Sequence, residues 1–218
     1  MQCRLAAAAQ RVRRRPEDIT LVGVTKLIGL ERIQPALAAG LRHLGENYVQ
    51  EALDKYEVIG DRAIWHFIGH LQRNKVRYVV PRFDLIETVD SLRLAQEIDK
   101  RATQVGKRMP VLLQVNVGDE DSKFGVAPSE LGALWDQVAA LAHLEVQGLM
   151  AIPPLAPEPE QSRPYFRRLR EMAKELEASA PGPRVRHLSM GMTQDFEVAI
   201  EEGATIVRVG TGIFGPRE

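Results

Sequence analysis

The residues best suited to chemistry sit in two separated stretches of the chain. Upstream, the apolar run L-V-G-V-T-K leaves Lys26 as the last residue of a predicted strand. Downstream, residues 187–215 read as a strand, a turn, a short acidic helix and a final strand that opens into V-G-T-G-I-F-G. Turns that carry hydroxyls and glycines can hold a phosphate with backbone N–H groups. A lysine that ends a buried strand is desolvated, which lowers its pKa and makes its amine nucleophilic toward a carbonyl. On position alone, a lysine that snorkels to solvent is the better reading. The phosphate cradle on the same face reverses that preference, and together the two features imply a phosphorylated aldehyde as ligand.

Positioning these groups falls to an alternation of strands and helices. Eight apolar runs read as strands, at 19–26, 41–45, 64–69, 85–90, 111–117, 146–152, 185–190 and 205–210. Between them, Leu30-Ile33-Leu37, Leu92-Ala95-Ile98-Ala102, Leu131-Leu134-Val138-Leu141 and Phe166-Leu169-Met172-Leu176 mark single buried helix faces. Strand then helix, repeated, predicts a parallel sheet, and eight units predict an α/β fold of the (β/α)8 TIM barrel type. A doubly wound open sheet would leave some of the eight strands unused. No segment reads as a linker, so residues 1–218 are expected to form one domain.

The bulk properties exclude several classes. The 218 residues carry 29 basic and 29 acidic side chains, a formal net charge of zero, which favours neither nucleic acid nor an anionic membrane. The cluster Arg11, Arg13, Arg14, Arg15 reads as a solvated helix end. One cysteine, Cys3, permits no internal disulfide, as fits a reducing compartment. No apolar run is long enough to span a bilayer, and the N-terminus lacks the order of a secretory signal. Its Arg-rich, acid-poor start shares the bias of a mitochondrial presequence but reads better as a short amphipathic helix. A cytoplasmic location is expected.

In a parallel barrel the strand C-termini share one face, and the site lies there. That face collects Lys26, Glu46, Asn47, Gly69, His70, Thr88, Asp90, Asn116, Met150, the turn Ser189–Gly191 and the stretch Arg208–Thr211. Arg208 and Gly210 fall on the same side of the last strand. An arginine aimed into the mouth pairs with an anion or ligand, or forms an internal bridge with Glu46 or Asp90. Gly210, Gly212 and Gly215 match G-x-G-x-x-G, but a dinucleotide site needs a helix at that loop and a later acidic residue. The chain stops at Glu218, so neither is expected. His66, His70, Asp119, Glu120 and Asp121 fit no zinc or calcium pattern, so no metal is expected. The loop P-P-L-A-P-E-P-E, 153–160, is expected to cover the barrel mouth.

Seven segments in order, L-V-G-V-T-K, H-L-G-E-N-Y-V-Q-E, W-H-F-I-G-H-L-Q-R-N-K, D-E-D-S-K-F-G, G-L-M-A-I, L-S-M-G-M-T-Q-D-F-E-V-A-I and V-R-V-G-T-G-I-F-G, span nearly the whole chain. Together they resemble the pyridoxal phosphate homeostasis protein family, the single-domain relatives of bacterial alanine racemases. The resemblance implies a racemase-like barrel with pyridoxal 5'-phosphate held as a Schiff base on Lys26. It also implies that Ser189, Gly191, Thr193, Gly210 and Thr211 hold the phosphate, that Arg208 faces the pyridine nitrogen and that Asn47 lies near the ring. An arginine partner does not hand a proton to that nitrogen, so the cofactor would be a poor electron sink. The chain departs from the family in carrying threonine for serine at Thr25 and Thr193, which keeps the hydroxyl. Its N-terminus is also shorter, which leaves the first helix open.

The implied function is to bind and buffer pyridoxal phosphate, in support of vitamin B6 and amino-acid homeostasis, without turnover. Apo-enzymes that use the cofactor are the implied partners, and a monomer is expected. The alternative is an amino-acid racemase. Racemases of this fold take a second acid/base, a tyrosine, from a C-terminal domain, whereas Tyr48, Tyr56, Tyr78 and Tyr165 all precede the last strand. A barrel that binds another metabolite phosphate without a covalent bond is a third reading.

Overall fold

The computed structural model describes residues 1–118, 124–179 and 184–216. Eight strands form a closed parallel barrel in sequence order: β1 (Thr20–Val24), β2 (His43–Glu46), β3 (Ile64–Phe67), β4 (Leu85–Val89), β5 (Met109–Gln114), β6 (Leu144–Met150), β7 (His187–Ser189) and β8 (Ile206–Val209). Closure comes from β8 pairing with β1 in the register Thr20↔Ile206 to Gly23↔Val209. Alternation along each strand splits the apolar residues into two sets. Val22, Leu85, Leu112, Met150 and Ile206 form a small cluster of their own, whereas Leu44, Ile86, Val111, Leu113, Leu188, Val207 and Val209 join the larger core with the helices.

The described helices are α1 (Gln2–Arg11), α2 (Leu30–Ala38), α3 (Val49–Ile59), α4 (Val76–Val79), α5 (Leu92–Gln104), α6 (Leu131–Ala139), α7 (Arg163–Ser179), α8 (Phe196–Glu201) and α9 (Thr211–Phe214), of which α2, α5, α6 and α7 form where the apolar spacing predicts them. On α5, Leu94, Ala95, Ile98 and Ala102 are buried at helical spacing, and burying each large side chain contributes about 2 kcal/mol. The short N-terminus does build a helix. Leu5, Ala8 and Ala9 of α1 are buried, and Arg4 and Arg11 pair with Glu197 and Glu201 beside α8.

Several expectations change. The arginine cluster is largely engaged within the chain rather than merely solvated. Arg14 donates to the carbonyls of Ile200 and Ala204, Arg11 pairs with Glu201 and Arg15 pairs with Asp18. A helical turn, α9, does open at the glycine loop, where none was expected. β1 stops at Val24, two residues before Lys26. There Ile28 N–H donates to Thr25 O and Leu27 takes φ 59°, so Lys26 rides a tight turn at the strand end. β5 ends at Gln114; beyond it Val115 forms an isolated bridge with Val126, and its N–H donates to Met150 O. No described helix is long and apolar enough to cross a membrane.

Candidate functional site

Six of the residues expected at the barrel mouth, Lys26, Asn47, Thr193, Arg208, Gly210 and Thr211, line one cleft of about 340 Å³. They arrive from the ends of β1, β2 and β8 and from the turn after β7, which a closed parallel barrel brings to one face. Pro154, Leu155, Ala156 and Pro159 line the same cleft, so the proline-rich loop does overhang the mouth. The hydroxyls of Thr193 and Thr211 lie 3.2 Å apart, and Gly212 N–H donates to the Thr193 oxygen at 3.4 Å. Asn47 Oδ1 is buried and has no hydrogen-bond partner among the described residues. A buried acceptor left unmade is costly, and a donor on a ligand would relieve it.

Ser189 and Gly191 do not line the cleft. Ser189 is fully buried below it, where its hydroxyl accepts from Arg208 Nη1 and donates to Glu87 Oε2. That donor is therefore engaged inside the barrel rather than offered to a phosphate. Gly191 has φ 91°, and a Cβ there would stand 2.5 Å from Ala199 Cβ and 2.9 Å from Phe196 Cα. It lets the turn after β7 sit down on α8.

Arg208 forms the cleft floor at 3% exposure. Its Nη2 donates to Ala151 O at 2.9 Å, and its Nη1 lies 3.8 Å from Glu87 Oε2. Its internal partner is thus Glu87, not Glu46 or Asp90. Burial pushes the guanidinium pKa down, while the charges of Glu87 and Asp195 oppose that. For Glu87, burial works to raise the pKa. The His66 hydrogen bond and charge, the charge of Arg208 and the Ser189 bond outweigh it, so the carboxyl is held below its ordinary value.

From Glu87 a hydrogen-bonded chain runs down the barrel. His66 Nδ1 meets Glu87 Oε1 at 2.6 Å, and His66 Nε2 meets His43 Nδ1 at 2.9 Å. His43 opens β2, so the chain links the cleft floor to the opposite end of the barrel. Burial, then the nearby His66, depress the His43 pKa to about 4.

A second buried group sits behind Lys26. Lys55 Nζ reaches Glu46 Oε1 at 2.7 Å and Glu51 Oε1 at 2.6 Å, and the Thr25 hydroxyl donates to Glu46 Oε1 at 2.7 Å. Sequence reading missed Glu87, His66 and Lys55 as a supporting frame. One signal was available for Lys55: it falls between Ala52 and Ile59 at core spacing on α3.

Among the described residues no group of three His, Cys, Asp or Glu side chains could hold a metal. His66 belongs to the internal chain, and His70 stacks on Phe124 with ring centroids 3.9 Å apart. Asp119, Glu120 and Asp121 lie outside the described residues.

The family model for the alanine racemase N-terminal domain matches residues 3–218. The "Pyridoxal phosphate homeostasis protein" of Aquifex aeolicus is 47% identical over 216 residues, covering 99% of this chain and 94% of that one. The structure of PipY from Synechococcus elongatus with PLP bound superposes with a TM-score of 0.87 at 38% identity, covering 97% of this chain and all of PipY (100%). Alanine racemase from Clostridium difficile is similar in fold alone, at 16% identity and TM-score 0.76, and the chain spans 55% of it.

Proposed function

We propose, from the premise that the chain belongs to the pyridoxal phosphate homeostasis protein family, that it binds pyridoxal 5'-phosphate covalently through Lys26 and holds it in reserve rather than turning over a substrate. The observation that carries this reading is the meeting of Lys26, Asn47, Thr193, Arg208 and Thr211 in one cleft. The residues fit the group. The orphaned Asn47 Oδ1 lacks a donor, the paired hydroxyls of Thr193 and Thr211 suit a phosphate, and a primary amine suits an aldehyde. PipY, similar over its whole length, is a relative with PLP bound.

Bound pyridoxal phosphate would supply an aldehyde for the Lys26 amine. The chain's own groups do the rest. The Thr193 and Thr211 hydroxyls donate to phosphate oxygens, and Gly210 and Gly212 leave the backbone open to approach. Ser189 supports Arg208 from below instead of touching the phosphate. Arg208, a buried cation anchored on Ala151 and Ser189, would face the ring nitrogen. A cation does not favour protonation of that nitrogen, so carbanions would be poorly stabilised. This favours storage over racemisation, and release to apo-enzymes from a monomeric cytoplasmic carrier is part of the same proposal.

Titrating the purified protein with pyridoxal phosphate and following visible absorption tests the reading. A saturable band with one cofactor per chain is expected. Absence of any band would return the barrel to an unassigned phosphate binder, and loss of optical purity of L-alanine would make it a racemase.

A further inference from the structure

The two peptide groups that flank Lys26 are both held by one cluster of buried charges. On the N-terminal side, Lys55 Nζ donates to Thr25 O at 2.5 Å, and the Thr25 hydroxyl donates to Glu46 Oε1. On the C-terminal side, Leu27 N–H donates to Glu51 Oε1 at 2.6 Å, the same oxygen that Lys55 reaches. Lys55 therefore has three acceptors for its three N–H bonds: Thr25 O, Glu46 and Glu51. Its side chain is 8% exposed and that of Glu46 is 0% exposed, so two of the three charges are out of water.

Such a cluster is an expensive way to fill space. Taking charges out of water costs several kcal/mol per ion, and apolar side chains of similar volume are often equally or more stabilising. What it provides that apolar residues would not is directional hold on both neighbours of one residue. The backbone there needs holding. Leu27 adopts φ 59°, a left-handed conformation that L-residues with a side chain rarely take. The Glu51 bond to Leu27 N–H stabilises that turn, and the turn sets the direction in which the Lys26 side chain leaves the strand end.

We infer that Lys55, Glu46 and Glu51 form a clamp that orients Lys26, and that these positioning residues set the rate at which its amine meets an aldehyde. The inference rests on the assignment of Lys26 as the residue that takes the cofactor. Burial of Glu46 raises its pKa against the opposing pull of Lys55 and Thr25, which agrees with a carboxylate that needs Lys55 beside it.

The test compares Glu51→Ala, Glu51→Gln and Lys55→Met with the wild type. Stopped-flow absorption after addition of pyridoxal phosphate gives the rate of adduct formation, and urea unfolding gives the folded fraction. Glu51→Ala and Lys55→Met are expected to react about tenfold more slowly per folded molecule, since small misplacements of a reacting group are costly. Glu51→Gln keeps an acceptor for Leu27 N–H and is expected to stay within about threefold of wild type. A purely structural role would lower stability and leave the rate per folded molecule unchanged. If Lys55→Met does not fold, the part-exposed Glu51 pair still decides.

A second readout needs no cofactor. Acetic anhydride labelling, read peptide by peptide by mass spectrometry, is expected to change at Lys26 in Glu51→Ala and not at the exposed Lys100. Wild-type rates in both assays would overturn the clamp. A changed labelling rate in a protein whose wild type forms no adduct would keep the clamp and discard the cofactor assignment.

Discussion

Glu87 Oε2 lies 3.8 Å from Arg208 Nη1, and the Ser189 hydroxyl bridges the two. The cation on the cleft floor is therefore balanced from within the barrel by the chain's own groups. Removing one partner of a buried pair leaves the other uncompensated. Glu87→Gln is expected to lower stability by about 3 kcal/mol, measured by urea unfolding at neutral pH. A loss under about 0.5 kcal/mol would mean that Ala151 O and Ser189 alone satisfy the guanidinium.

The same chain gives the fold a pH dependence with a definite sign. His43 titrates near 4 when folded, against 6.5 for the free side chain, so below 6.5 the unfolded chain takes up a proton that the folded one refuses. Its contribution is complete above pH 6.5 and declines as pH falls toward 4. Glu87, held below 4.5, also contributes fully at neutral pH and loses its contribution as pH falls through its folded value. Urea midpoints are expected to fall steadily from pH 7 to pH 4. His43→Asn should flatten the upper part of that slope, and an unchanged slope would remove His43 from the account.

Gly191, in the turn after β7, has no room for a side chain. Gly191→Ala combines an unfavourable φ of 91° with a Cβ 2.5 Å from Ala199. A loss of about 3 kcal/mol in stability is expected, from left-handed strain and overpacking together. Thermal unfolding checks it, and a wild-type Tm would show that the turn can shift off α8.

The paired threonines provide a test specific for phosphate. Thr193→Ala is expected to weaken retention of pyridoxal phosphate about tenfold, the worth of one hydrogen bond to a charged group. Pyridoxal, which lacks the phosphate, should bind both proteins alike. Equal weakening of both ligands would place Thr193 elsewhere than at the phosphate.

The barrel was legible because the strands are short apolar runs and four of the helices, α2, α5, α6 and α7, show a buried face in three- and four-residue steps. Ile98 and Leu169 announce themselves by spacing alone. The cleft residues were legible because strand order assigns strand ends to one face, so Lys26, Asn47 and Arg208 could be grouped without coordinates. The supporting charges were not. Whether Glu87 points inward depends on register, and the β4–β5 pairing shifts between Ile86 and Val89. Ser189 read as a phosphate donor because its type and place suit one, yet a buried cation and carboxylate on either side claim its hydroxyl. Apolar continuity carried the predicted first strand through to Lys26. What ends it at Val24 is the turn closed on Thr25 O and the bonds that hold Thr25 and Leu27, made by residues 20 and more positions away.

The most direct test of the central assignment is to add pyridoxal phosphate to wild type and Lys26→Ala, reduce with borohydride, and map the adduct by intact mass and peptide mass spectrometry. The account predicts one reduced adduct per wild-type chain, on the peptide containing Lys26, and none at that peptide in Lys26→Ala. An adduct of equal yield on another lysine, or none in wild type, would contradict it.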